Sequence, residues 1–232
     1  MNLPRIALAA ALLAATVTPS HAAPKPDLPT FDPAKFHGAP IDNPFLPLRP
    51  GATWSYASHT PDGVETTDTE VTLQSKSILG IMATVVHDVV RLNGGLIEDT
   101  FDWYAQDEDG NVWYLGEDTK EYDGHGGFLN STGSWEAGVA GAQAGIVMLA
   151  HLEKGLSYPQ EFLAGVAEDH ARITDLAGSA TVPAGSYGGL LVTLEWTPLE
   201  PGAREYKSYA PGIGLVLEEG KKERVELVSA NP

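Results

Sequence analysis

Leu96-Ile97-Glu98-Asp99-Thr100-Phe101-Asp102-Trp103-Tyr104-Ala105-Gln106 runs into Asp107-Glu108-Asp109-Gly110-Asn111. Val112-Trp113-Tyr114-Leu115-Gly116-Glu117-Asp118-Thr119-Lys120-Glu121-Tyr122 follows. Successive side chains of a strand point to opposite sides. In the first segment Ile97, Phe101, Trp103 and Ala105 therefore share one face, and Thr100, Asp102 and Tyr104 the other. The Asp-Gly pair in the polar link suits a tight hairpin turn. The pattern predicts an antiparallel hairpin with residues 112–122 as the return strand and the Ile97-Phe101-Trp103 face turned to the core.

Similar signals spread outward from this hairpin. Residues 53–58, 64–74 and 81–92 read as strands, with turns at Pro61-Asp62-Gly63 and Asn93-Gly94-Gly95. Beyond the hairpin, strands are expected at 156–163, 167–176, 190–196, 204–209, 213–219 and 223–228. Leu190, Val192, Leu194 and Trp196 alternate as an inward face, and Ala210-Pro211-Gly212 suits a type II turn. The glycine- and alanine-rich stretch 124–155 reads as an insertion over one end or face of the sheet, with one short helix across 140–152. About ten short strands with little helix predict a mainly β fold: an antiparallel sheet, a sandwich or an open barrel.

Residues 1–22 have the form of a signal peptide: Arg5, an apolar run from Ile6 to Val17, and Ser20-His21-Ala22 as a small-residue cleavage site. The apolar run is too short to span a bilayer, which takes ~20 residues. Residues 23–50 hold eight prolines and are expected to be extended, with order beginning where Ile41-Asp42-Asn43-Pro44-Phe45-Leu46-Pro47-Leu48 packs on the domain. Residues 51–232 then form a single β-rich domain, exported to the periplasm or the exterior with no membrane anchor.

The chain has no cysteine, which excludes disulfides, thiol catalysis, thiolate zinc sites and a lipidated cysteine. With 14 Lys and Arg against 31 Asp and Glu, its formal net charge is −17. Such a balance argues against nucleic-acid or anionic-membrane partners.

Gly124-His125-Gly126-Gly127-Phe128 and Ala184-Gly185-Ser186-Tyr187-Gly188 look like fragments of a serine hydrolase. A nucleophile elbow needs a helix after the serine and a later histidine. Neither is present, since no histidine follows His170. The histidines also lack ligand spacing. Asp107, Asp109 and Asn111, with Glu117 and Asp118, offer oxygen ligands for a calcium-type cation, although the glycine is misplaced for an EF-hand. On the apolar face Asp99 would be a desolvated acid suited to general acid catalysis. Asp99, Trp103, Tyr104, Trp113, Trp135 and Glu136 are the candidate lining of a small-molecule or lipid pocket, with Trp103 and Trp113 paired across the hairpin or lining a cavity.

The stretches 102–107, 110–114 and 116–122 resemble an uncharacterised family of exported bacterial proteins with a DWYAQDxxGNVWYxGEDTKEY hairpin. Gly133-Ser134-Trp135-Glu136-Ala137-Gly138, residues 195–201 and residues 209–216 are similar to it as well. The sequence departs from that family at His87-Asp88, where Arg-Asp is expected. The resemblance implies a bacterial, exported setting and one folded unit, and it carries no activity, ligand or catalytic residue. Three functions fit the sequence: small-molecule or lipid binding, hard-cation binding, and carboxylate-based hydrolysis. Export predicts that the intact mass of protein recovered outside the cytoplasm begins at Ala23. A secreted chain that retains Met1 would contradict the leader.

Overall fold

The computed structural model describes residues 27–38, 40–221 and 223–232; the leader lies outside the described residues. Fifteen strands form one antiparallel sheet: β1 (Thr53–Thr60), β2 (Gly63–Ile78), β3 (Ile81–Leu92), β4 (Gly95–Gln106), β5 (Val112–Tyr122), β6 (Phe128–Asn130), β7 (Trp135–Glu136), β8 (Gln143–Met148), β9 (Ser157–Pro159), β10 (Glu161–Phe162), β11 (His170–Val182), β12 (Gly185–Trp196), β13 (Glu205–Ala210), β14 (Gly214–Glu219) and β15 (Arg224–Asn231). The order is β10-β8-β5-β4-β3-β2-β1-β15-β14-β13-β12-β11-β9, with β6 and β7 also on β5. One chain segment supplies both ends of this order. β9 pairs with β11, and β10, one residue later, pairs with β8. The sheet is thus nearly closed into a barrel, which removes most of its exposed edge.

The hairpin of β4 and β5 forms as the sequence predicts. Asp107 closes its turn by accepting from the backbone N–H groups of Asp109 and Asn111. Asn93 (φ 50°) and Gly94 (φ 86°) make the expected tight turn between β3 and β4. Leu79 (φ 49°) and Gly80 (φ 85°) make a second one between β2 and β3, which no turn residue other than the glycine signals.

Three expectations are corrected. The expected helix at 140–152 is replaced by strand β8, paired with β5 and β10. Ala140 and Gly141 both have positive φ, which stops a helix there, and Gly145 lies against the Gln160 backbone. The inward face of β4 is the polar one: Glu98, Thr100, Asp102 and Tyr104 are buried there, whereas on the other face Ile97, Asp99 and Phe101 are half-buried and Trp103 and Ala105 are buried beneath an outer covering. On β12, too, Leu191, Thr193 and Glu195 are buried; of the expected inward face Leu190 is buried, while Val192, Leu194 and Trp196 are half-buried. In a period of two, choosing the wrong face inverts every side chain.

A bulge sets the parity on β5. Asp102 pairs with Glu117 and Tyr104 with Tyr114, so β5 spends one extra residue over this span. Gly116 has φ 131°, and a Cβ there would meet the Trp135 carbonyl oxygen at 2.2 Å. Tyr114 and Glu117 consequently both point inward.

The segment before β1 packs across one end of the barrel. Ile41, Leu46 and Leu48 are buried, as their apolar character predicts. Asn43 donates to the carbonyls of Gly110 and Leu149, and Gly212 N–H donates to the Pro44 carbonyl. A single 3-10 turn, Pro33–Lys35, precedes them, and Phe31 and Phe36 flank it to cover Trp113 from outside.

At the seam a Cβ on Gly145 would meet the Gln160 carbonyl carbon at 2.4 Å. Gly145→Ala is expected to destabilise the protein by about 1–3 kcal/mol in urea unfolding. An unchanged midpoint would contradict the close approach of β8 to the seam.

Candidate functional site

The inverted parity makes the barrel interior chemically unusual. Across β2–β5 the register sets rows of inward side chains. Thr67, Val90, Glu98 and Glu121 form one; Thr69, Asp88, Thr100 and Thr119 the next; Val71, Val86, Asp102 and Glu117 the third; and Tyr104 with Tyr114 closes the series. Around the opposite wall one row runs Thr193, Lys207, Glu218, Val225, Ser58, Glu65. All of these side chains are buried. Glu161 enters from β10 and Asp169 from just before β11, both beside the seam.

The carboxyl groups are held in two linked sets. Asp102 Oδ1 accepts from the Tyr114 hydroxyl at 2.6 Å, and Asp88 Oδ1 accepts from the Thr69 hydroxyl. The remaining oxygens, Asp88 Oδ2 and Asp102 Oδ2, make no other hydrogen bond, and the two carboxyls interact directly. Neighbouring like charges disfavour ionising both carboxyls at once, and the charge of Asp88 adds to the burial that raises Asp102. In the other set, Lys207 Nζ lies 3.0 Å from Glu195 Oε2 and 3.8 Å from Glu218 Oε2. Thr193 and Tyr209 hydroxyls donate to Glu195 Oε1 at 2.9 and 3.3 Å.

Burial governs the titration of these groups. It holds Asp102 and Glu117 well above the carboxylate range, with the negative charge of Asp88 adding to Asp102 and that of Asp102 adding to Glu117. Burial likewise raises Glu161, reinforced by Asp169 and opposed by the Trp135 indole N–H and by Lys207. Asp169 and Glu223 are each pushed up to about 7, mainly by burial. Burial would lower Lys207, but Glu195 and Glu218 outweigh it and hold its ammonium above the usual lysine range.

The aromatic side chains divide between the two faces. Inside, Tyr104 stacks on Tyr114 with centroids 4.9 Å apart, and Trp135 meets Tyr114 edge-on at 5.2 Å. Outside, Trp103 sits beneath the Lys76 ammonium, 3.1 Å from the ring centroid, and the same ammonium pairs with Glu136 at 2.7 Å. Trp113 donates to Asp107 Oδ2 at 2.8 Å and is covered by Phe31 and Phe36. The bulge puts Ala105, not Trp103, opposite Trp113, so the two indoles are not direct cross-strand partners. Of the six expected pocket residues, only Tyr104 and Trp135 face the interior. Asp99 is outside, partly exposed and bonded to His87 at 2.6 Å.

The five expected cation ligands separate in the same way. Asp107 is consumed by its turn and by Trp113. Asp109 pairs with Lys35, Asn111 accepts from Ala150 N–H, and Asp118 pairs with Lys120. Glu117 alone is inside. Among the described residues no three histidine, aspartate or glutamate side chains are grouped as a metal ion would require. Ser186, on β12, is exposed and bonds to Thr181. A groove of about 290 Å³ lies outside the barrel, bordered by Phe36, Leu73, Met82 and Gln106.

Asp88, and Lys207 with its partners Glu195 and Glu218, escape sequence reading because isolated charged residues in strands look like solvent-facing positions, whereas Glu161 and Asp169 are legible only as acids that could join Asp99. The available signal is the run of inward polar residues at spacing two, Glu98-Thr100-Asp102 beside Glu117-Thr119-Glu121.

No protein-family model matches the chain, and no curated protein matches it. Among solved structures, it is similar to the crystal structure of a putative lipoprotein from Parabacteroides distasonis. The match covers 81% of this chain and 98% of that one, with a TM-score of 0.42 and 12% identity. Among the described residues no helix is long and apolar enough to cross a membrane.

Carboxyls raised by burial hold protons in the native state that the unfolded chain releases. Stability therefore falls as pH rises from the ordinary carboxylate range toward about 7, where Asp169 and Glu223 titrate. The melting temperature is expected to be higher near pH ~5 than near pH ~8, with a shallower dependence in Asp102→Asn. A melting temperature that climbs over that interval would contradict neutral interior acids.

Proposed function

We propose that this chain is an exported, non-catalytic binding protein that holds a small polar molecule inside the barrel. The site would open among the interior carboxyl groups and the rings of Tyr104, Tyr114 and Trp135, which pack closely, each under 5% exposed, in the structure. The observation that carries the reading is a set of enclosed polar groups whose bonding the chain itself leaves incomplete. Among the described residues the hydroxyls of Tyr104 and Tyr158 meet no hydrogen-bond partner, and the Trp135 N–H approaches Glu161 without completing a bond. Tyr104 and Glu161 are 0% and 1% exposed. More than about 90% of buried polar groups in proteins are paired, and each one left over costs about 1–3 kcal/mol. A bound polar molecule would supply the missing partners.

The chemistry of the wall selects the ligand. Rows of threonine and carboxyl are a poor surface for an acyl chain, so a polar molecule is favoured over a lipid. Asp88 and Asp102 stand on neighbouring strands, not across a cleft as the two carboxyls of a glycoside hydrolase stand, which speaks against that form of hydrolysis. Export rests on the form of residues 1–22.

Native mass spectra of the exported protein, before and after chelator treatment, test the reading. An organic adduct that survives the chelator, and is lost in Tyr104→Phe/Glu161→Gln protein, is the expected result. A bare mass in both spectra, with no adduct regained on incubation with a cell-extract metabolite fraction, would overturn it. A chelator-sensitive mass excess would instead support the hard-cation function.

A further inference from the structure

We infer that Lys207 and Glu195 join in an internal amide bond, formed by the folded chain itself with Glu218 as its proton relay. This inference is independent of the binding function proposed above.

The strand register assembles the reacting groups. Lys207 on β13 lies opposite Thr193 on β12 and Glu218 on β14, and Glu195 stands two residues along β12 on the same inward face. Lys207 Nζ is 3.0 Å from Glu195 Oε2 and 3.8 Å from Glu218 Oε2. The hydroxyls of Thr193 and Tyr209 donate to the other oxygen of Glu195, Oε1, at 2.9 and 3.3 Å. Lys207, Glu195 and Glu218 are 7%, 7% and 3% exposed, so the trio is largely shielded from bulk water. An amine thus faces a carboxyl group whose second oxygen is held by two donors, as the oxyanion of an acyl transfer is held. A plain ion pair of Lys207 with Glu195 would account for the two hydroxyls. It does not require a second buried acid at the same ammonium, with its nearer oxygen, Glu218 Oε2, lacking a hydrogen-bond partner among the described residues.

The step balances within the trio. At rest Lys207 holds its proton, as its acidic neighbours dictate, and burial drives Glu218 toward its protonated form. One proton passes from Nζ to Glu195, leaving an amine and a neutral carboxyl group; burial favours this exchange because it removes two charges. The Nζ lone pair attacks Glu195 Cδ, the C–N bond forms, and negative charge gathers on Oε1 between Thr193 and Tyr209. Glu218 gives its proton to Oε2 and takes one from Nζ as the Cδ–Oε2 bond breaks and water leaves. In sum one ammonium and one carboxylate become one amide and one water, and Glu218 ends as it began. Groups held about 3–3.5 Å apart reach effective molarities of about 10⁵ M or more, well above the concentration of the water that drives the reverse hydrolysis.

The bond has a structural use. The chain has no cysteine, so no disulfide can brace it after export. An amide between Glu195 and Lys207 ties β12 to β13 in the barrel wall.

Intact mass of the exported protein, unfolded before measurement, reads the bond directly. The chain is expected to be lighter than its sequence by one water. Trypsin should spare Lys207 and leave peptide 173–204 joined to peptide 205–221 through Glu195 and Lys207. Glu218→Gln, verified as folded by circular dichroism, should form the link at least about a hundredfold more slowly. Lys207→Arg keeps a cation beside Glu195 but cannot form the amide, and it should show the full mass and a lower melting temperature. A folded wild-type chain at full mass, cleaved by trypsin at Lys207, would overturn the inference. So would a lost water that maps to an Asp-Gly step at Asp62, Asp109 or Asp123, or a link from Lys207 to any acid other than Glu195. Unslowed linkage in Glu218→Gln would overturn the relay.

Discussion

The desolvation of carboxyl groups inside a closed sheet is the constraint on which the structure turns. A carboxylate loses several kcal/mol of hydration on burial, and it is retained only if it is paired, protonated or bonded. The barrel uses all three solutions at once. Lys207 pairs with Glu195 and Glu218, burial drives Asp88 and Asp102 toward their protonated forms, and Thr69 and Tyr114 donate to that pair. Glu161 and the Tyr104 hydroxyl are left incompletely bonded, and the proposed function follows from that remainder.

Keeping those acids inside while apolar side chains face outward requires an outer covering. The β2–β3 hairpin extends far enough for Lys76 to cap Trp103 and for Leu79 to meet Gly138. The segment before β1 wraps Trp113 with two phenylalanines and places Ile41, Leu46 and Leu48 at the end of the barrel. Both faces of β4 and β5 are therefore buried over part of their length. This explains why their sequence is aromatic on one side and rich in acid and threonine on the other.

That two-sided burial also sets what was legible in the sequence. The turns at Asn93-Gly94, Asp109-Gly110 and Pro211-Gly212 were readable, because they act through local backbone preference; strand boundaries were not, since the expected strand 156–163 is β9 and β10 and the expected 190–196 begins at Gly185. The mainly β class and the packing of Ile41–Leu48 were readable on similarly local grounds. The facing of the strands was not, because alternation states that two faces differ without saying which is inside. Ile97, Phe101 and Trp103 look like core only if the outer face is solvated. Closure was hidden as well, since the seam depends on Gly145 meeting the Gln160 backbone, a contact between distant short strands. Tyr104 and Trp135 were identified as candidate site residues through their aromatic character, whereas Glu161 and Lys207 gain their meaning only from long-range register.

Infrared spectroscopy in heavy water is the most direct probe of an interior of neutral carboxyl groups, because protonated and ionised carboxyls absorb in separate bands. At neutral pH the protein should show a protonated-carboxyl band that weakens in Asp102→Asn. A spectrum at neutral pH with ionised carboxylates only would contradict the inward placement of these acids and the binding site built on it.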